Sequence, residues 1–148
     1  MKSRKDLGVN GLTIIELLIA IGIAVILLSM AMPVANNFYR VYQLDAEKNL
    51  LVSLLRQGLN DSLVNRNASV HGLYWDLNDF IVFQGANFAA RNPSHDRFFP
   101  RTNAIILTGP NEVVFSQLSG RVASSTYSLS NGTFALNVYI NSEGVISD

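Results

Sequence analysis

A chain of 148 residues is one domain's worth of sequence, and its 11 basic and 11 acidic side chains give no global field that would select nucleic acid or an anionic membrane as a partner. It has no cysteine, which excludes disulfides, thiolate metal sites and a cysteine nucleophile. Hydrophobic residues reach 49% because one segment concentrates them, so the remainder is expected to fold as an ordinary domain.

That segment is "GLTIIELLIAIGIAVILLSMAMP", residues 11–33. No charge occurs from Leu17 to Ala35, a stretch of about 28 Å as a helix, close to the thickness of a bilayer's hydrocarbon core. Lys2, Arg4 and Lys5 precede it against Asp6 alone, and the next charge after it is Arg40. The positive-inside bias therefore predicts one span with a cytoplasmic N-terminus and everything after Tyr39 outside. A cleaved secretory signal would have a shorter apolar core ending at small residues, whereas this core is long, contains Glu16 and reaches Pro33. A plain signal anchor accepts the length but gives no reason for Glu16, since an intramembrane carboxylate costs about 2 to 3 kcal/mol.

A third account uses every odd feature at once. The short basic leader, Gly11 at its end, Leu12, Thr13, Glu16 four residues on and Pro33 resemble the class III signal of type IV pilins and type II secretion pseudopilins. The resemblance implies that residues 1–11 are a leader removed by a prepilin peptidase, which cuts between Gly11 and Leu12 on the cytoplasmic side and N-methylates Leu12. It also gives Glu16 a use. The new Leu12 amine is a cation at membrane depth, and Glu16 is the one acid in the span able to neutralise it. In the family this carboxylate meets the amine of a neighbouring subunit during assembly; the simpler alternative is pairing with its own chain's amine on the same helical face.

The helix is expected to continue beyond the span, with 12–39 as its membrane and filament-core half and 40–65 as an amphipathic half. Pro33 removes a backbone donor and crowds the Ser29 carbonyl, which predicts a kink or local melting. Leu51, Leu54, Leu55, Gly58, Leu59, Ser62 and Leu63 recur at three- and four-residue steps, with Glu47, Lys48, Arg56 and Asp61 largely off that stripe. The stripe should lie on a globular β-rich domain, residues 66–148.

In that domain His71, Leu73, Trp75 and Leu77 alternate with Gly72, Tyr74 and Asp76, and "DFIVFQG" follows a turn, which predicts a hairpin. "AIILT", "EVVFSQL", "STYSL", "TFALNVYI" and "GVIS" follow as short strands, separated by Gly109-Pro110-Asn111, Asn131-Gly132 and Asn141 to Gly144. Phe134, Leu136, Val138 and Ile140 form an inward row. The expected fold is α+β: a long N-terminal transmembrane and amphipathic helix packed on a C-terminal antiparallel sheet, read as a meander. "HGLYWDLNDFIVFQG", "NEVVFSQLSGRV" and "NVYINSEGVIS" resemble the GspH/FimT group of minor pilins and pseudopilins.

No catalytic constellation stands out, and neither a cofactor nor a metal is expected. His71 falls in an apolar strand row and His95 in a loop, Asp76 and Asp79 flank a turn, and the sequons at Asn60, Asn67 and Asn131 read as coincidences. The loop 87–102, "NFAARNPSHDRFFPRT", differs: Arg91, Arg97 and Arg101 interleave with Phe88, Phe98 and Phe99, a pattern suited to phosphate contact and base stacking. Its bland alternative is a surface loop anchored by phenylalanines and solubilised by arginines.

Two functional classes follow from the resemblance. One is a minor subunit of a type II secretion pseudopilus or type IV pilus in the bacterial inner membrane, with prepilin peptidase, other pilins and the inner-membrane assembly platform as partners. The other is a DNA-binding minor pilin of an uptake pilus, using Arg91, Arg97 and Arg101.

Overall fold

The structure, a computed structural model, describes residues 13–148. The chain divides into two compact units, Met1–Tyr39 and Arg40–Asp148, while one helix, α1, runs over Ile14–Leu63.

In the first unit the described side chains of α1 are exposed, from Ile14 at 81% to Tyr39 at 62%, and none of its most apolar stretch is buried within the protein. α1 is long and apolar enough to cross a membrane. The helix is continuous across Pro33. The proline removes one hydrogen bond, and the flanking turns on both sides hold the helical conformation.

The second unit builds its core on the amphipathic half of α1. Leu44, Leu51, Val52, Leu54 and Leu55 are buried in one cluster with Leu73, Phe80, Val82, Val113 and Phe115 from one sheet and Leu107, Tyr127, Leu129, Val138 and Ile140 from another. Burial of each such side chain contributes about 1.5 to 3 kcal/mol before the entropy of ordering is set against it. Gly58 lets the Phe115 ring approach to 3.5 Å of where a Cβ would stand. Ser62, fully buried on the stripe, donates from its hydroxyl to the Phe115 carbonyl (3.0 Å) and accepts from the His71 backbone N–H (3.0 Å). Glu47 and Asp61 depart from expectation: both are buried, at 5% and 8% exposure, because each meets an arginine.

Among the described residues, eight strands form two four-stranded antiparallel sheets rather than one meander. The first has the order β3-β2-β1-β5, with β1 His71–Trp75, β2 Asp79–Gln84, β3 Arg97–Pro100 and β5 Glu112–Phe115. The second has the order β4-β6-β7-β8, with β4 Ile106–Thr108, β6 Ser125–Ser130, β7 Ala135–Ile140 and β8 Ile146–Ser147. The expected first hairpin is present, with His71 opposite Gln84 and Trp75 opposite Phe80. Its turn is held by Asp76, whose Oδ1 accepts from the N–H groups of Asn78 and Asp79. Leu77 sits in that turn at 80% exposure instead of continuing the inward row.

The meander breaks first between β3 and β4, where the chain passes to the second sheet, and again at Gly109-Pro110-Asn111, where it returns. Trp75 captures this connector through both its backbone N–H, donated to the Asn111 carbonyl, and its Nε1, donated to the Pro110 carbonyl (2.9 Å each). The chain therefore leaves β4 in one sheet and enters β5 in the other. Asn131-Gly132 does turn β6 into β7, but pairing stops at Ser130 and Ala135, which leaves a four-residue loop. Asn131 Oδ1 accepts from the N–H groups of Thr133 and Phe134, so Phe134 falls in the loop at 46% exposure while Val138 and Ile140 keep the inward row. Asn131 also donates to the Arg40 carbonyl, and Lys48 pairs with Asp148 at 2.9 Å.

Gly72 in the central strand β1 has no room for a side chain. A Cβ there would collide with the Val113 carbonyl oxygen and come within 2.7 Å of the Phe83 ring. Gly72→Ala is expected to lower the unfolding free energy by about 1 to 3 kcal/mol, read as a shift in the urea midpoint at unchanged slope.

Candidate functional site

The two segments singled out by sequence lie in different units. In the first, Thr13 Oγ1 accepts from the Glu16 backbone N–H at 3.3 Å, so Thr13 caps α1 and Glu16 occupies its third helical position. A carboxylate there also faces the positive end of the helix dipole. Sequence reading overlooked this, although "TIIE" carries the Thr-x-x-Glu signature of a capping box. Gly11 and Leu12 lie outside the described residues.

In the second unit the loop 87–102 is built inward. Phe88 stacks on Tyr74 with ring centroids 3.7 Å apart and meets Phe83 edge-on at 5.6 Å. Arg91 lies over the Phe88 ring, donates to the Phe88 carbonyl and pairs with Asp96 at 2.7 Å. Arg101 is buried, at 3% side-chain exposure, between the rings of Trp75 and Phe80; it pairs with Glu47 at 3.2 Å and donates to the Asp76 carbonyl. Arg97, in a strand that sequence reading left inside the loop, pairs with Asp61 at 2.5 Å. Each of the three arginines proposed to contact phosphate is thus held by a carboxylate. Burial alternates along Arg97, Phe98, Phe99 and Pro100, but the sequence there does not, and Pro100 within the run argued against a strand.

Arg97 opens onto a cavity of about 410 Å³ beside the end of α1, lined among others by Asp61, Arg66, His71, His95 and Asp96. The two histidines, distant in sequence, therefore share one wall. Among the described residues no group of three or more His, Asp or Glu side chains is placed to hold a metal ion.

His71 is 4% exposed, and burial pushes its imidazole below its ordinary pKa. Asp61 and the Ser69 carbonyl oppose that shift, and Arg66 and Arg97 add to it. A group whose folded pKa is depressed below its unfolded value, and which is neutral when deprotonated, stabilises the fold fully above the unfolded value and loses that contribution as pH falls. Stability of the second unit is therefore expected to drop as pH falls below about 6.5. Denaturation midpoints compared between pH 7.5 and 5 should show the drop in the parent and a smaller one in His71→Leu.

No family model, curated protein or solved structure matches this chain. What the chain's own geometry offers is a bare apolar helix with a capped, acid-bearing start, and a β domain whose loop arginines are spent on internal pairing.

Proposed function

We propose that this chain is a minor pseudopilin or pilin subunit, processed by a prepilin peptidase and assembled into a type II secretion pseudopilus or a type IV pilus. The observation that carries the reading is the exposed half of α1. From Ile14 to Tyr39 its large apolar side chains have no cover within the protein, so they require lipid or other helices around them. A subunit that moves from a bilayer into a helical filament core uses both. The spacing of Gly11, Leu12, Glu16 and Pro33 and the α+β fold support the same reading. In it the protein sits in the bacterial inner membrane with its N-terminus cytoplasmic, and it meets the assembly platform and other pilins through the helix. The GspH/FimT group is the proposed subgroup, and no catalytic role is assigned.

The test is direct. In a host with an active prepilin peptidase, mass spectrometry of the membrane-extracted protein should find a chain beginning at N-methylated Leu12. Recovery of the full-length chain alone would count against the assignment.

A further inference from the structure

We propose that the β6–β7 loop of the second unit rests on a lipid bilayer surface, with the Phe134 ring among the headgroups. The inference rests on the reading of α1 as a membrane span and goes beyond it, to a contact made by the β domain.

The chain itself limits how far that domain can stand from the bilayer. Asn36 and Asn37 close the apolar run, and Arg40 begins the second unit five residues after Ala35. As helix those five residues advance about 7.5 Å, and the headgroup layer on each face of the hydrocarbon core is about 5 to 8 Å deep. The Arg40 backbone thus stands at the edge of the headgroups, and any tilt of α1 brings it nearer. Its exposed side chain supplies a cation at the level of the lipid phosphates.

Asn131 binds the loop to this point. Its Nδ2 donates to the Arg40 carbonyl at 3.1 Å and its Oδ1 accepts from the Phe134 N–H at 2.8 Å, so one side chain joins the helix to the phenylalanine. Phe134 is 46% exposed there, while Val138 and Ile140 further along the row are buried. Two more features suit the loop to lipid. Residues 122–142 carry no charged side chain, so the β6–β7 hairpin meets the interface with no ion of its own to desolvate. Tyr42, 73% exposed, lies two residues past Arg40 and therefore projects from the opposite side of α1. Exposed aromatic residues on both sides of an emerging helix match the aromatic belt of a membrane interface.

The chain has no cysteine, so a single introduced one can carry an environment-sensitive fluorophore. The full chain is reconstituted in vesicles of phosphatidylethanolamine and phosphatidylglycerol containing lipids spin-labelled either near the headgroup or at the acyl-chain end. The fluorophore at Phe134→Cys should be quenched about twofold or more by the shallow spin label and less by the deep one. At Leu118→Cys no quenching is expected: Leu118 is 66% exposed, but its N–H donates to the Ser62 carbonyl, 22 residues and about 33 Å along α1 from Arg40. Ile26→Cys, inside the apolar run, reads the span itself and should respond to the deep spin label. Quenching at 26 with none at 134 would overturn the proposal and leave the span reading intact, whereas no quenching at 26 would overturn both. Equal quenching at 118 and 134 would also overturn it. So would a fluorophore at 134 that is shielded from water yet untouched by either spin label, because a protein neighbour such as a second copy would then cover the loop in place of lipid.

Discussion

Glu16→Leu is expected to insert in the membrane and to be cleaved after Gly11 like the parent, yet to fail to enter filaments. Removing an intramembrane carboxylate eases insertion, and the cut bond lies before the altered turn. Under the proposed function, what the variant lacks is an anion for the Leu12 ammonium that cleavage after Gly11 would create, and an unpaired buried charge costs about 3 to 5 kcal/mol. The capped start of α1 supplies a rival account, in which Glu16 merely stabilises the first helical turn. The two are separable. The Thr13 cap bonds the backbone N–H of residue 16, so it survives any side chain there. Glu16→Gln keeps a capping-competent amide and loses only the charge. Comparing a sheared filament fraction with the membrane pool, both variants should be cleaved and neither assembled. Normal assembly of Glu16→Gln would assign the residue to helix capping.

The second large effect is expected at the buried pair of Glu47 and Arg101. Arg101→Ala should destabilise the second unit by about 3 to 5 kcal/mol, and Glu47→Ala by a comparable amount, because each leaves its partner buried and uncompensated. The loss at Arg101 extends beyond charge, since its guanidinium also lies about 5 Å from the Trp75 and Phe80 rings and ties the Asp76 turn. The double change Glu47→Leu with Arg101→Met should recover most of the stability, because a buried ion pair and an apolar pair of similar volume are often nearly equal in free energy. Chemical denaturation of residues 40–148 reads all three. If either single variant costs less than about 1 kcal/mol, the pair is solvated rather than buried.

These two residues also show where sequence reading reaches its limit. The leucine stripe of α1, the first hairpin and the late strands were legible because their apolar periods of 3.6 and 2 survive without tertiary context. Glu47 and Asp61 were read only as standing largely off the stripe. Their burial depends on Arg101 and Arg97, which lie 54 and 36 residues away and reach them only once β3 is in place. For the same reason the arginines of the loop 87–102 resembled an open basic surface. Composition records that a charge is present, and only the fold says which opposite charge answers it. The split into two sheets was equally hidden: the return of the chain from β4 to β5 is held by Trp75 at Pro110 and Asn111, a contact with no local signature.

The bonds that tie the amphipathic half of α1 to distant strands also govern how quickly the domain can form. Asn131 reaches back 91 residues to Arg40, and Ser62 reaches forward 53 to the Phe115 carbonyl. The leucines of α1 emerge first in synthesis and stay bare until β6 and β7 bring Tyr127, Leu129, Val138 and Ile140 to cover them. Closing such long loops before any core contact rewards them is slow, and domains dominated by non-local pairing fold in about milliseconds to seconds, not microseconds. Through that interval the helix offers a continuous sticky edge to any other nascent chain. Protection from premature association is thus a demand that this architecture places on its surroundings.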